Sequence, residues 1–238
     1  MDYQTLLYQN YHKRTSVLDP DDEHKLSWFR TYVKQMYDPF FRSFLPNAKI
    51  LDLGCSRGFL LKVLFEKGHT NLTGVDLSPK DLDTARLLLP EAHFYAEDIF
   101  AFLQNNAESF DAIILKALIE HIKKDRVIEL LELIAGALKP GGKILIDVQN
   151  SAWIFGLHDR YVDFTHEIGF TQESLAQLMQ LHFNHVKVTP TQSPLFGLKP
   201  HAYIRHKIAK KIVSSLLRWA EPESPYFQER LLLGIGTR

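Results

Sequence analysis

Residues 50–60 read Ile50-Leu51-Asp52-Leu53-Gly54-Cys55-Ser56-Arg57-Gly58-Phe59-Leu60. A short apolar strand runs into a glycine-bearing turn, and an apolar helical pattern starts directly behind it. A second apolar run at 72–75 ends in Asp76. Glycines let backbone approach a ligand, a helix N-terminus faces that ligand, and a carboxylate closing the next strand can accept hydrogen bonds from a ribose. The layout predicts a nucleotide-type site. The run lacks the G-x-G-x-x-G spacing of a dinucleotide fingerprint, which argues against a dehydrogenase.

Outward from this stretch, strand and helix patterns alternate. Strands are predicted at 50–53, 72–75, 93–96, 112–115 and 143–148, with helices between them at 59–67, 79–88, 100–105 and 124–138. Alternation of this kind implies a parallel sheet with helices on both faces and right-handed crossovers. Lys139-Pro140-Gly141-Gly142 reads as a helix stop and turn before the fifth strand. A long irregular segment follows at 149–170. A capped helix then opens at Thr171, with Leu175, Leu178 and Met179 inward. A sixth strand is expected at 185–189, a Pro/Gly-rich loop at 190–200, a basic amphipathic helix at 202–219 and a last strand at 230–237. Upstream, residues 1–22 read as a polar, aromatic arm or lid. A helix is expected over about 22–37, where Leu26, Phe29, Val33 and Met36 recur at three- and four-residue steps.

The 238 residues carry 28 Lys+Arg against 28 Asp+Glu, a formal net charge of zero. That balance argues against a protein that coats nucleic acid. Cys55 is the only cysteine, so an internal disulfide and a cysteine-built structural zinc site are excluded. The opening residues lack the basic and apolar regions of a signal peptide, and no apolar run approaches the roughly 20 residues of a membrane span. A cytoplasmic location is expected.

With the glycine turn, Asp76, Asp98 and Lys139–Gly142 placed in order, the chain resembles a class I S-adenosylmethionine-dependent methyltransferase over roughly residues 48–190. Asp52-Leu53-Gly54-Cys55-Ser56-Arg57-Gly58 is similar to that family's first motif, and Gly74-Val75-Asp76-Leu77-Ser78 to its acidic ribose motif. Ala96-Glu97-Asp98-Ile99 is similar to the adenine motif. The run Phe110-Asp111-Ala112-Ile113-Ile114-Leu115, continued by Leu118-Ile119-Glu120-His121, is similar to the fourth. The resemblance implies an α/β fold with a Rossmann-like seven-stranded sheet, mostly parallel with the last strand antiparallel, and helices on both faces. It implies one methyltransferase domain over 1–238: an N-terminal helical arm at 1–47, a core at 48–190, a helical insertion at 191–226 and the last strand at 227–238. It implies S-adenosylmethionine as cofactor, held by Asp52, Gly54, Cys55, Gly58, Asp76, Leu77, Asp98, Ile99 and Lys116. Ser56 departs from the usual glycine, which asks its backbone to keep φ negative or tolerate mild strain. Lys116 stands where small or polar residues are common. For Asp76 and Asp98 the alternative role is to cap the helices that follow.

A narrower resemblance lies downstream. Arg160-Tyr161-Val162-Asp163-Phe164-Thr165-His166-Glu167, then Gly169-Phe170-Thr171-Gln172-Glu173-Ser174-Leu175, is similar to a segment of bacterial methyltransferases that act in cell-surface polysaccharide and O-antigen biosynthesis. It implies O-methylation of a saccharide or glycolipid intermediate. A small metabolite, quinone or polyketide acceptor is the alternative, and a cofactor-binding protein without catalysis is another.

Methyl transfer to an alcohol needs a positioned acceptor and is helped by a general base. His166 and His121 are the candidates, both expected at the carboxyl edge of the sheet where open α/β folds bind ligands. Asp163 and Glu167 flank His166 and could orient its ring. The bland alternatives are that His166 pins its own loop and His121 supports the cofactor wall. Asp163, His166 and Glu167 would also suit a divalent ion, but no second ligand cluster accompanies them and no metal is expected. In the helix at 202–219, Ile204, Ile208, Ile212 and Leu216 form one stripe beside Arg205, Lys207, Lys210, Lys211 and Arg218. This pattern suits an anionic membrane surface, an ordinary surface helix or a homodimer contact.

Overall fold

The computed structural model describes residues 23–191, 200–220 and 229–238. The arm expected at 1–22 and most of the loop expected at 190–200 lie outside these residues. In chain order the elements are α1 (Glu23–Met36), α2 (Asp38–Phe41), β1 (Lys49–Leu53), α3 (Phe59–Glu66), β2 (Asn71–Asp76), α4 (Pro79–Leu88), β3 (His93–Ala96), α5 (Ile99–Gln104) and β4 (Phe110–Lys116). After β4 come 3-10 turns at Ile119–His121 and Lys124–Arg126, then α6 (Val127–Ala137), β5 (Leu138–Gln149), α7 (Gly156–Tyr161), α8 (Gln172–Met179), β6 (Asn184–Thr191), α9 (Pro200–Ala220) and β7 (Leu231–Thr237).

The strands form one seven-stranded sheet in the order β3-β2-β1-β4-β5-β7-β6. Strands β1 to β5 pair in parallel, and β7 runs antiparallel to both β5 and β6. Strand order reverses between β1 and β4, and the crevice outside their carboxyl ends is where such sheets take ligands.

The side-chain alternation of the strands builds two cores. Leu51, Leu53, Ile113, Leu115, Ile144 and Ile146 enter one of them, under α5, α6 and α8. Ile50, Ala112, Ile114 and Leu145 enter the other, under α1, α2, α3 and α4. On that second face the same alternation places Asp52 of β1, Lys116 of β4 and Asp147 of β5 at or near the carboxyl ends of three adjacent strands. Charge therefore replaces hydrocarbon where the sheet meets the crevice. Helix α1 covers this region, with Phe29, Tyr32 and Val33 buried.

Three boundaries differ from the sequence reading. Strand β5 opens at Leu138, five residues before the predicted start, because Leu138 already pairs with Phe110. The Lys139–Gly142 stretch is thus a bulge within the strand, with Gly141 at φ +78° and Lys139 bonded to Asp111 at 2.8 Å. Residues 124–126 form a 3-10 turn before α6. The segment expected to be irregular at 149–170 contains the short helix α7 and a parallel bridge from Asn150 to Phe170. The cap expected at Thr171 is present as a capping box with Ser174.

Candidate active site

The glycine turn sits at the crevice. Gly54 and Gly58 have φ of +71° and +75°, the left-handed region that glycine enters without steric cost. A Cβ on Gly58 would stand 3.0 Å from the Ala85 Cβ and 3.2 Å from the Phe94 ring, so α3 can begin only where no side chain intervenes. Ser56 takes the strained branch of the sequence expectation, at φ +47°. Its backbone N–H donates to Asp76 Oδ2 at 2.8 Å, while Ser78 N–H donates to Oδ1 at 2.9 Å. Asp76 thereby ties the turn to the end of β2 and presents a carboxylate beside it. It does not cap α4; that role belongs to Ser78, which accepts from Asp81 N–H.

Cys55 turns inward. Its Sγ lies 2.7 Å from where a Cβ on Gly74 would be, and burial pushes its thiol pKa up, so it is packing and not a nucleophile. Phe29, Asp52, Gly54, Ser56, Arg57 and Lys116 line the cleft above the turn. Asp52 is buried, and burial pushes its carboxyl pKa up to about 8, opposed by Lys116 and reinforced by Asp76. Lys116 Nζ stands 6.0 Å from the Phe29 ring centre and 5.4 Å from that of Tyr32.

Leu77 is exposed and Ile99 buried. Asp98 caps α5, its Oδ1 accepting from Phe100 N–H at 3.0 Å and Ala101 N–H at 3.2 Å. The capping role is thus realised on one carboxylate oxygen, while Oδ2 takes part in neither bond.

Beyond Lys116 the chain turns into Ile119–His121, and the two histidines meet. The His121 and His166 rings are 4.7 Å apart, edge to face. His121 Nδ1 lies 2.8 Å from Thr165 Oγ1, and the Thr165 hydroxyl donates to Asp163 Oδ1 at 2.7 Å. A hydroxyl has one hydrogen, so it accepts from His121, whose Nδ1 carries the proton and whose Nε2 keeps its lone pair. His166 Nδ1 lies 3.2 Å from the Arg160 carbonyl oxygen. A carbonyl only accepts, so His166 is likewise an Nδ1–H tautomer. Burial pushes the His121 pKa down to about 4, with His166 adding to the effect. Glu120 is 3% exposed, and burial pushes its carboxyl up to about 7.

The donor set fits a zwitterionic adenosyl ligand. Asp76 offers a carboxylate beside the turn, and the buried Asp52 carboxyl, costly to ionise alone, would gain its charge partner from an ammonium.

Residues 50–142 match the methyltransferase domain family. Over these residues the chain is similar to methyltransferase domains. The chain is 31% identical over 151 residues to a ubiquinone biosynthesis O-methyltransferase of Idiomarina loihiensis, covering 58% of this chain and 59% of that protein. It is 28% identical over 144 residues to a carboxy-S-adenosyl-L-methionine synthase of Campylobacter fetus, covering 57% and 60%. The chain thus spans about three fifths of the length of these curated relatives. A solved S-adenosylmethionine-dependent methyltransferase of Archaeoglobus fulgidus superposes over the whole of both chains with a TM-score of 0.69 at 19% identity. At that identity the likeness establishes the fold.

Asp52, Gly54, Lys116 and the turn around Cys55 gather at one cleft, and Asp76 bonds directly to that turn. His121 and His166 meet in a second group. The Asp163 carboxylate meets His121 through Thr165, and its carbonyl accepts from the His166 N–H at 3.2 Å. Glu167 is held by its backbone N–H, which donates to the Glu120 carbonyl at 2.7 Å. Residue-by-residue reading missed three participants: Tyr32, Tyr37 and Asp147, joined by buried hydrogen bonds. An aspartate inside the predicted fifth strand was the available signal.

Proposed function

We propose that this chain is an S-adenosylmethionine-dependent O-methyltransferase whose acceptor presents a hydroxyl to the cluster of Glu120, His121 and His166. The observation that carries the reading is the His166 ring, whose Nδ1–H faces the Arg160 carbonyl so that Nε2 keeps its lone pair, in a chain whose residues 50–142 match a methyltransferase domain. The cofactor supplies an electrophilic methyl group on a sulfonium. The chain's residues then have two tasks. Gly54, Asp52 and Asp76 orient the donor, and His166 Nε2 receives the acceptor's hydroxyl proton as the oxygen becomes nucleophilic. His121, held by Thr165 and Asp163, stays neutral near pH 7 and stabilises the charge gained by its neighbour.

A quinone-type phenol on a lipid tail is the acceptor that this reading favours. Similarity to a ubiquinone biosynthesis O-methyltransferase supports it. Helix α9 supports it independently: Ile204, Ile208, Ile212, Leu216 and Trp219 are all more than half exposed, in a row flanked by Arg205, Lys207, Lys211 and Arg218. Such a face suits peripheral contact with an anionic membrane, from which a lipid acceptor would be drawn. A second reading, a saccharide or glycolipid hydroxyl, is favoured by the 160–175 segment, which supplies His166 and its supports.

Turnover with S-adenosylmethionine across a catechol-type polyprenyl phenol and a panel of glycolipid acceptors tests the choice. Methylation of the phenol, reduced at least tenfold in His166→Ala, is expected. Turnover of glycolipids alone would replace the quinone reading, and no turnover with any hydroxyl acceptor would overturn O-methylation. A thermal-shift titration with S-adenosylmethionine tests donor binding separately.

A further inference from the structure

We infer that Glu120, His121 and His166 form a binding site for one divalent transition cation, of the Zn2+ or Mn2+ class, beside the methyl-donor cleft. One ligand atom from each of the three lies within 4.8 Å of the others. The hydrogen bonds fix what those atoms are. Thr165 and the Arg160 carbonyl hold both Nδ1–H groups, so Nε2 is the nitrogen that each ring offers to a cation. Neither Glu120 carboxylate oxygen has a hydrogen-bond partner in another residue, although both are buried.

A buried carboxylate left in this state is costly. Here it converges on the His121 and His166 rings. A cation between them satisfies the buried carboxylate. Bond lengths of about 2.0–2.2 Å require the three to close by roughly 1 Å, within the reach of side-chain rotation. Two imidazoles with one carboxylate match borderline transition ions and leave coordination positions open. The Asp163–Thr165–His121 relay and the Arg160 carbonyl are the outer partners that such histidine ligands require.

The site would hold the acceptor, and this part rests on the O-methyltransferase reading. A hydroxyl oxygen bound to the ion loses its proton to water at a lowered pKa. That oxygen keeps the electron pair that forms the new O–CH3 bond as the S–CH3 bond breaks. In the ion-loaded protein the imidazoles are ligands, and the ion takes over the activating role that His166 has without it.

The test is a titration of the full chain, stripped with chelator, with Co2+ followed by visible absorption and thermal melting. One equivalent is expected to bind, with new d–d bands and a raised midpoint. Glu120→Gln and His166→Ala should each weaken binding by at least tenfold, while His93→Ala, on β3, should bind normally. Circular dichroism and the S-adenosylmethionine thermal shift establish that the variants fold, and neither depends on the ion. Absence of stoichiometric Co2+, Zn2+ or Mn2+ binding, or binding unchanged in both variants, would overturn the site. Failure of the S-adenosylmethionine shift alone would instead count against the methyl-donor reading. Catechol is then added to the Co2+ form: shifted bands support direct acceptor ligation, and unaltered bands refute it.

Discussion

The Tyr32 hydroxyl of α1 donates to the carboxylate of Asp147, 115 residues further along the chain at the end of β5. Tyr37 donates to the same oxygen from the turn between α1 and α2. Asp147 is 3% exposed, so these hydroxyls are what make its charge tolerable. Burial first, and the carboxylate second, push both tyrosine pKa values up, which keeps them hydrogen-bond donors across the working pH range. Helix α1 is thus latched to the carboxyl end of β5.

Removing either hydroxyl should therefore cost stability. Tyr32→Phe and Tyr37→Phe should each lose about 1.5–3 kcal/mol, the usual range for a hydrogen bond to a charged group. The double variant should lose more than their sum, because the last donor's departure leaves Asp147 buried and unpaired. Urea unfolding of the four members of this cycle measures the coupling, and strict additivity would refute the shared-carboxylate account.

Asp76 should control donor binding. It accepts from two backbone N–H groups and retains lone pairs for ribose hydroxyls. Asp76→Ala should raise the S-adenosylmethionine Kd on the order of 100-fold, roughly 2.7 kcal/mol, and should lower the melting point through loss of the turn's anchor. Isothermal titration and thermal melting check the two parts separately.

Asp52 should make donor affinity depend on pH. Its ordinary pKa of 3.8 rises to about 8 in the folded protein. Between these values the folded chain holds a proton that the unfolded chain has lost. The ligand-free protein therefore loses stability as pH rises from about 4 to about 8, and this contribution levels off above. A bound ammonium favours the ionised carboxylate. Affinity should accordingly increase up to about pH 8, with proton release on binding below that pH. Calorimetry in two buffers of different ionisation heat detects the release, and Asp52→Asn should abolish it.

Helix α9 should bind anionic vesicles through its isoleucine row. Ile208→Asp combined with Ile212→Asp should reduce sedimentation with phosphatidylglycerol vesicles by at least tenfold while leaving the S-adenosylmethionine thermal shift unchanged. Unaltered sedimentation would remove the membrane role, and loss of a dimer on sizing would assign the face to a second copy.

The fold was legible because local signals agreed. The glycine turn, the apolar strands and the caps at Ser78 and Thr171 each announce an element within a few residues, and the strand–helix alternation dictates the parallel part of the sheet. The cleft at the glycine turn was legible for the same reason, since Asp52, Gly54 and Asp76 lie at or just past two consecutive strand ends and Gly58 opens α3. The histidine cluster and the tyrosine latch were not. His121 and Thr165 are separated by 44 residues, and Tyr32 and Asp147 by 115. Nothing local to either partner specifies such a pairing; it exists only once α1 and the segment after β5 have folded over the sheet. The start of β5 was misplaced because Pro140 and Gly141 signal a turn, whereas Leu138 can still pair across the bulge they create.

Strand β7 enters the sheet between β5 and β6, pairing with both. On a ribosome, β6 is made well before the strand it must lie against. Until residues 231–237 emerge, β5 displays a raw edge and β6 has no place to dock. The nascent chain can settle β1 to β5 early, but β6 waits for β7. During that interval the bare edge is a hazard for intermolecular pairing. Translation speed and chaperone access between the emergence of β5 and that of β7 should therefore bear on the yield of this protein.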